Sequence, residues 1–169
     1  MKKLVLVGAL LTAILGANAQ SWSVDKSHSN VGFSITHLLL SEVDGTFNDI
    51  DASFTSEMED FSDAIFSFTA QVTSIDTRID RRDNHLRSAD FFEVEKYATI
   101  VFESTSFKHV QGEKYIIAGN VTIKGVTKPL TLDVTLKGPI VNQRSKKKMV
   151  GIKATGTLDR FDFNIGSES

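Results

Sequence analysis

The sequence predicts an all-β fold in which about eight antiparallel strands close into a barrel, with one short helical insert near residues 82–96. Three observations predict it. Apolar and polar residues alternate with period two through most of the chain. Glycine-bearing turn signals separate the alternating rows, and one charged stretch, Asp80 to Tyr97, breaks the alternation with helix chemistry. Eight is about the strand number at which an antiparallel sheet closes and its interior holds side chains or one small ligand.

Residues 1–19 read as a secretory leader. Lys2 and Lys3 precede an apolar stretch from Leu4 to Leu15, and Ala17-Asn18-Ala19 supplies the small-residue end at which such leaders are cut. That stretch is shorter than the roughly 20 residues a membrane-spanning helix needs. Cleavage near Ala19 would leave residues 20–169 as one barrel domain, in the periplasm or secreted. The chain has no cysteine, so a lipid-acceptor thiol and disulfides are both absent and packing alone has to stabilise the fold. Two of the 19 basic residues go with the leader, leaving 17 against 21 acidic ones and moving the net charge from −2 to −4. A chain of that balance is not expected to bind nucleic acid.

In chain order, a short strand is expected around Trp22 to Asp25. Val31, Phe33 and Ile35 then alternate with Gly32, Ser34 and Thr36, and His37 continues the apolar row. Strand character returns over Val43 to Phe54. Phe66, Phe68, Ala70 and Val72 form the next row, followed by Ile100 and Phe102. Tyr115, Ile117, Gly119, Val121 and Ile123 make another, then Leu130, Leu132, Val134 and Leu136, and finally Val150, Ile152, Ala154, Gly156 and Leu158. The turn signals are Asp44-Gly45, Gln111-Gly112, Lys124-Gly125 and Lys137-Gly138-Pro139. Strands joined in this way pair antiparallel. Ser74 to Arg78 should lead the chain off the sheet into the insert, where Asp83 is placed to cap a helical turn and Asp90 with Glu93 has the spacing of a capping box.

Catalytic chemistry finds little footing. There is no Gly-x-Ser-x-Gly elbow, no cysteine and no phosphate-cradling glycine loop. The pairs Asp49/Asp51 and Glu57/Glu59 suit an exposed loop. The four histidines, His28, His37, His85 and His109, lack metal-ligand spacing. His37 fits a hydrogen-bonding group at a barrel end, and Asp25 with His28 either stabilises a turn or meets a ligand's head group. Arg81, Arg82 and Arg87 stand among Asp80, Asp83 and Asp90; that cluster is either a solvated helix face or, through Arg82 or Arg87, a holder for an anionic head such as phosphate. Arg144-Ser145-Lys146-Lys147-Lys148 reads as a hairpin tip, with transient contact to an anionic membrane surface as the alternative.

Four blocks resemble the YceI family of periplasmic, lipocalin-like proteins. They are Trp22 to His37 with Gly45-Thr46-Phe47, Ser74 to Thr77 with Arg82 to Thr105, Gly119 to Leu130, and Arg160 to Gly166. The resemblance implies an extended lipocalin-like barrel around a long apolar tunnel for a polyisoprenoid or similar amphiphile, with no catalytic residues and no cofactor. Family members usually continue past a segment like Ile165-Gly166 with one more strand, whereas this chain stops at Ser169. Either the sequence is truncated there, with the closing strand missing, or the barrel is left open at one edge, and an unpaired edge invites a homodimer.

The inward rows nominate Phe33, Ile35, His37, Phe66, Phe68, Ile100, Phe102, Tyr115 and Ile117 as ligand-lining residues, with Gly119 and Gly156 leaving room beside them and Arg87 at the mouth. The expected function is storage or transport of a long-chain isoprenoid, quinone or fatty-acid-like molecule. The alternatives are an enzyme acting on such a lipid, with a histidine as the working group, and a structural module with a solid core.

Overall fold

The alternating rows become strands β1 (Gln20–Ser23), β2 (Val31–His37), β3 (Ser41–Phe47), β4 (Ile50–Ser56), β5 (Ile65–Gln71), β6 (Ile75–Asp76), β7 (Thr99–Gln111), β8 (Lys114–Ile123), β9 (Val126–Val141) and β10 (Lys148–Thr155). The one α-helix among the described residues is α1, Asp80–Arg87. The computed structural model describes residues 20–166 except residue 39, and only the backbone of His37. The expected leader lies outside the described residues.

Seven strands form one curled antiparallel sheet in the order β1-β4-β5-β7-β8-β9-β10, and β2-β3-β6 form a second, smaller one. The large sheet is a half-barrel, as the all-β expectation requires. The strand count exceeds eight because Val43 to Phe54 is two strands, β3 and β4, divided at Asn48-Asp49, and because β6 adds a two-residue piece. Lys124-Gly125 is the tight turn between β8 and β9, with both residues at positive φ, 47° and 75°.

Two of the turn signals belong inside strands. Asp44-Gly45 lies in β3, paired with Phe33-Ser34 of β2. Its glycine is there for packing, since a Cβ on Gly45 would stand 2.3 Å from Cζ of Phe33. Lys137-Gly138-Pro139 lies in β9, where the register to β10 shifts between Met149 and Gly151. The actual β9–β10 turn is Asn142–Lys147, around the basic run, where Asn142 Oδ1 accepts from the backbone N–H groups of Arg144 and Ser145. β10 ends at Thr155, so Gly156 and Leu158 fall beyond it.

The insert is a helix followed by turns. Ile79 occupies the N-cap position and no side chain caps it. Asp83 sits inside α1 and looks back along the chain, accepting from Thr77 N (2.9 Å) and from the Thr77 hydroxyl. The expected Asp90/Glu93 capping box does not form. Glu93 has a left-handed φ of 51°, its N–H bonds to Ser88 O, and Asp90 pairs instead with His85 Nε2 at 3.1 Å. A left-handed residue ends helical continuation, so Ser88 to Tyr97 runs as successive turns.

Candidate functional site

Directly paired residues of an antiparallel sheet share a face, so the register of the large sheet identifies its concave side. Trp22 lies opposite Phe54, and Phe54 opposite Phe66. Phe68 lies opposite Phe102, and Ala70 opposite Ile100. Phe102 faces Val121, Ile117 faces Leu132 and Tyr115 faces Val134, and Leu136 faces Ile152. One continuous apolar face thus runs from β1 to β10.

A bulge in β7 keeps that face aromatic over its full height. The register to β8 shifts between Ser104 and Ser106, so Thr105 is an extra residue and the inward parity changes from even to odd. Phe102 and Phe107, five positions apart, consequently point the same way. Their rings join Phe66 (6.2 Å from Phe102), Phe54 (5.6 Å from Phe107) and Tyr115 (5.0 Å from Phe107) in one cluster. Gly119 makes the close approach possible: a Cβ there would lie 2.3 Å from Glu103 O and 2.6 Å from Cζ of Phe102.

Both rims carry covers. At the rim where β4 ends, Phe61 of the following loop is buried against Phe54, ring centroids 5.4 Å apart. Asp63 holds that loop, accepting from the Ser56 hydroxyl and from the N–H groups of Glu57 (2.8 Å) and Met58 (3.2 Å). The Ser56 hydroxyl and then the Glu57 N–H keep the Asp63 carboxyl below its ordinary pKa. At the opposite rim Phe91, Phe92, Phe163 and Ile165 join the same apolar cluster. A second cluster, Phe47, Ile50, Ala70 and Ile75, ties the small sheet to the large one, with Leu86 of α1 and Phe92 packed on it.

This aromatic-lined half-barrel, covered at one rim by a helix and its turns, matches a family model described as the YceI-like domain over residues 22–169. The chain belongs to the YceI-like family. A "UPF0312 protein" of Serratia proteamaculans is 40% identical to it, covering 99% of this chain and 89% of that one. The "Protein YceI" of Salmonella newport is 38% identical, covering 99% and 90%. Among solved structures, the YceI protein of Campylobacter jejuni superposes with a TM-score of 0.68 at 32% identity, covering 85% of this chain and 84% of that one.

In this YceI-like chain Phe66, Phe68, Ile100, Phe102, Tyr115 and Ile117, all named from the sequence, are brought together on the concave face. Ile117 is 0% exposed and Phe102 3%. Phe33 and Ile35 are not part of that face. They sit on β2 in the small sheet, Phe33 packed on Phe47 at 5.6 Å and Ile35 43% exposed. His37 ends β2, and its side chain lies outside the described residues. Asp25 and His28 form a local turn, with Nδ1 of the histidine 2.9 Å from the carboxylate.

Sequence reading missed Trp22, Phe54 and Phe107 as lining residues. Phe54 has a signal, since Ile50, Ala52, Phe54 and Ser56 alternate as cleanly as the rows named above. Phe107 has none of that kind, because the bulge hides it from a period-two count.

Arg87 is committed to the backbone. Its Nε donates to Thr73 O (3.0 Å), one terminal nitrogen to Asn84 Oδ1 (3.0 Å) and the other to Ile75 O (2.8 Å). The guanidinium therefore clamps α1 to the chain entering and forming β6. Arg87→Ala is expected to lower the unfolding free energy by about 2 kcal/mol, read by urea denaturation, and Arg87→Lys to recover little because an ammonium lacks the planar fork. A head-group role would add a selective effect, with binding of phosphorylated prenols falling further than binding of neutral ones. Equal losses would leave the clamp as its whole role.

Proposed function

We propose that this YceI-like chain is an exported lipid-binding protein that holds a long-chain isoprenoid, quinone or fatty-acid-like amphiphile against the concave face, for storage or transport through an aqueous compartment. The observation that carries this reading is the face itself, apolar and aromatic from β1 to β10 on a sheet whose two edge strands are not bonded to each other among the described residues. Each chain methylene a guest buries there contributes about 0.8 kcal/mol, so a long tail binds without charged partners. Family membership supports the reading, and the export it includes rests on the leader expected from the sequence of residues 1–19. The β9–β10 ribbon runs past the start of β8, since Lys114 is paired at Thr135. Contact of its tip, Arg144 to Lys148, with an anionic membrane surface belongs to the same reading, as does a homodimer formed through an unpaired sheet edge.

A second reading has its own observation. Ile117, Phe102, Val121 and Leu136 are buried by one another and by the covers, which is also how a solid core packs. Extraction of the purified protein with organic solvent, followed by mass spectrometry, separates the two. The lipid-binding reading expects a long-chain lipid at a near-stoichiometric ratio, and the solid-core reading expects none and no uptake of an added lipid. Turnover of such a lipid that disappears in His37→Ala would point instead to an enzyme.

A further inference from the structure

Charge is divided unevenly along the chain. Residues 104–158, which form the C-terminal part of β7 with β8, β9 and β10, hold ten basic and two acidic residues, whereas residues 20–103 hold six basic and sixteen acidic ones. The negative net charge of the whole therefore conceals a cationic half of the sheet.

Register shows where those cations stand. Lys108 is paired with Ile116, Lys114 with Thr135 and Thr135 with Lys153, while Lys137 lies opposite Gly151 and Ile140 opposite Met149. These positions alternate with the inward residues Tyr115, Val134, Leu136 and Ile152, so they occupy the convex face. Its four lysines are exposed, and among the described residues none of them is in an ion pair, with Glu113 and Asp133 of the same half or with any other carboxylate.

The face continues into the ribbon that β9 and β10 form beyond the start of β8, crowned by Arg144, Lys146, Lys147 and Lys148. Between the lysine rows and that crown stand Ile140, 64% exposed, and its cross-strand partner Met149, 37% exposed. An aliphatic pair ringed by cations and open to water complements an anionic bilayer, which offers acidic head groups over an apolar interior. A nucleic acid has no apolar phase for the pair, and the face presents no aromatic ring on which a base could stack.

The rest of the same rim sets the orientation. β4 and β9 both end there and β5 and β10 both begin there, so the loop after β4, with Glu57, Glu59, Asp60 and Asp63, shares the rim with the ribbon tip. A negative surface repels that loop while it attracts the ribbon.

We infer that the β9–β10 ribbon docks this protein on an anionic lipid bilayer, with Ile140 and Met149 entering the head-group region and the lysines of the tip and convex face meeting lipid phosphates. The inference rests on the membrane contact included in the reading above and changes its nature. Charge at the tip alone gives a loose contact that salt abolishes, whereas an inserted aliphatic pair gives an oriented one that partly survives salt.

Vesicles of phosphatidylcholine alone, and of phosphatidylcholine mixed with phosphatidylglycerol, are the probes. The chain has no cysteine, so Ile140→Cys and, on the acidic half, Asp51→Cys each take a single environment-sensitive fluorophore. On the mixed vesicles the label at 140 is expected to shift its emission to the blue and the label at 51 to stay unchanged; phosphatidylcholine alone should move neither. In co-sedimentation with the mixed vesicles, Lys146→Ala with Lys147→Ala is expected to weaken binding about 25-fold, roughly five-fold for each basic residue near the surface. Ile140→Ser with Met149→Ser should weaken it about ten-fold and abolish the binding that wild-type protein retains at high salt. All four positions are exposed, and an unchanged urea midpoint shows that the variants fold. A serine pair that binds like wild type overturns the insertion, and so does an equal response of the two labels, which needs neither multiple variant. Binding to polyglutamate but not to vesicles assigns the face to an acidic protein and overturns the inference. Absence of any vesicle binding overturns it too, while the lipid-binding reading stands or falls separately on the solvent extraction.

Discussion

Phe102→Ala is expected to lower the free energy of unfolding by about 3–5 kcal/mol, the range for removing a buried phenyl ring. Phe102 is 3% exposed and sits at the middle of the aromatic wall, across from Phe68 and Val121. Its neighbours have little freedom to close the gap. The ring lies over Gly119, which has no side chain to swing inward, and β8 is held there by its pairing on both sides, with β7 and β9. The cavity therefore persists, and the cost should sit at the upper part of the range, because poor collapse is what raises it. Urea denaturation of the guest-free protein measures the loss. On the lipid-binding reading, saturating squalene restores part of it, because a guest that binds only the folded state stabilises it by mass action. A loss under about 1 kcal/mol would show that the wall relaxes freely around position 102.

The half-barrel was legible in the sequence because a half-buried antiparallel strand writes its burial as period-two alternation, and the rows at Phe66 to Ala70, Tyr115 to Ile123 and Leu130 to Leu136 do so without interruption. The candidate site was legible where those rows cross the concave face. It was not legible where the period breaks. The extra residue at Thr105 reverses the parity of β7, so Phe107 reads as an outward residue to any count begun at Ile100. β2 alternates as well as any strand, yet alternation says which residues share a face and not which sheet they join, so the sequence alone does not separate Phe33 and Ile35, which belong to the small sheet, from the rows of the large one. Gly45 shows the same ambiguity at a single position. Asp-Gly in sequence signals a turn, and only the ring of Phe33 lying over it shows that the glycine serves packing within a strand. The charged insert hid its chemistry differently: Asp83 has the composition of a cap but not its place, because its partner, Thr77, precedes the helix and is reached by turning back.

That turn-back underlies the second large effect, expected for Asp83→Ala at about 3 kcal/mol. Asp83 is 5% exposed, and its Oδ1 accepts both the backbone N–H and the hydroxyl of Thr77. The same Thr77 oxygen accepts from Arg82 Nε (2.7 Å), and Thr77 O accepts from the Arg82 terminal nitrogen (2.7 Å). Removing the carboxylate strands two buried donors on Thr77 at once and takes the negative charge away from a relay that ends on a guanidinium. Asn at position 83 keeps one acceptor oxygen and loses the charge, so Asp83→Asn should cost less, about 1–2 kcal/mol. The damage should also be local before it is global. The network joins α1 to the segment leaving β6, and α1 and its turns place Leu86, Phe91 and Phe92 on the two apolar clusters. Hydrogen exchange should therefore show residues 77–97 losing protection first in Asp83→Ala, with β7 to β9 losing it only at the new, lower global stability. If protection instead falls uniformly across β7, β8 and β9 with no separate opening of the insert, the cover and the wall unfold as one cooperative unit and Asp83 is a member of the core.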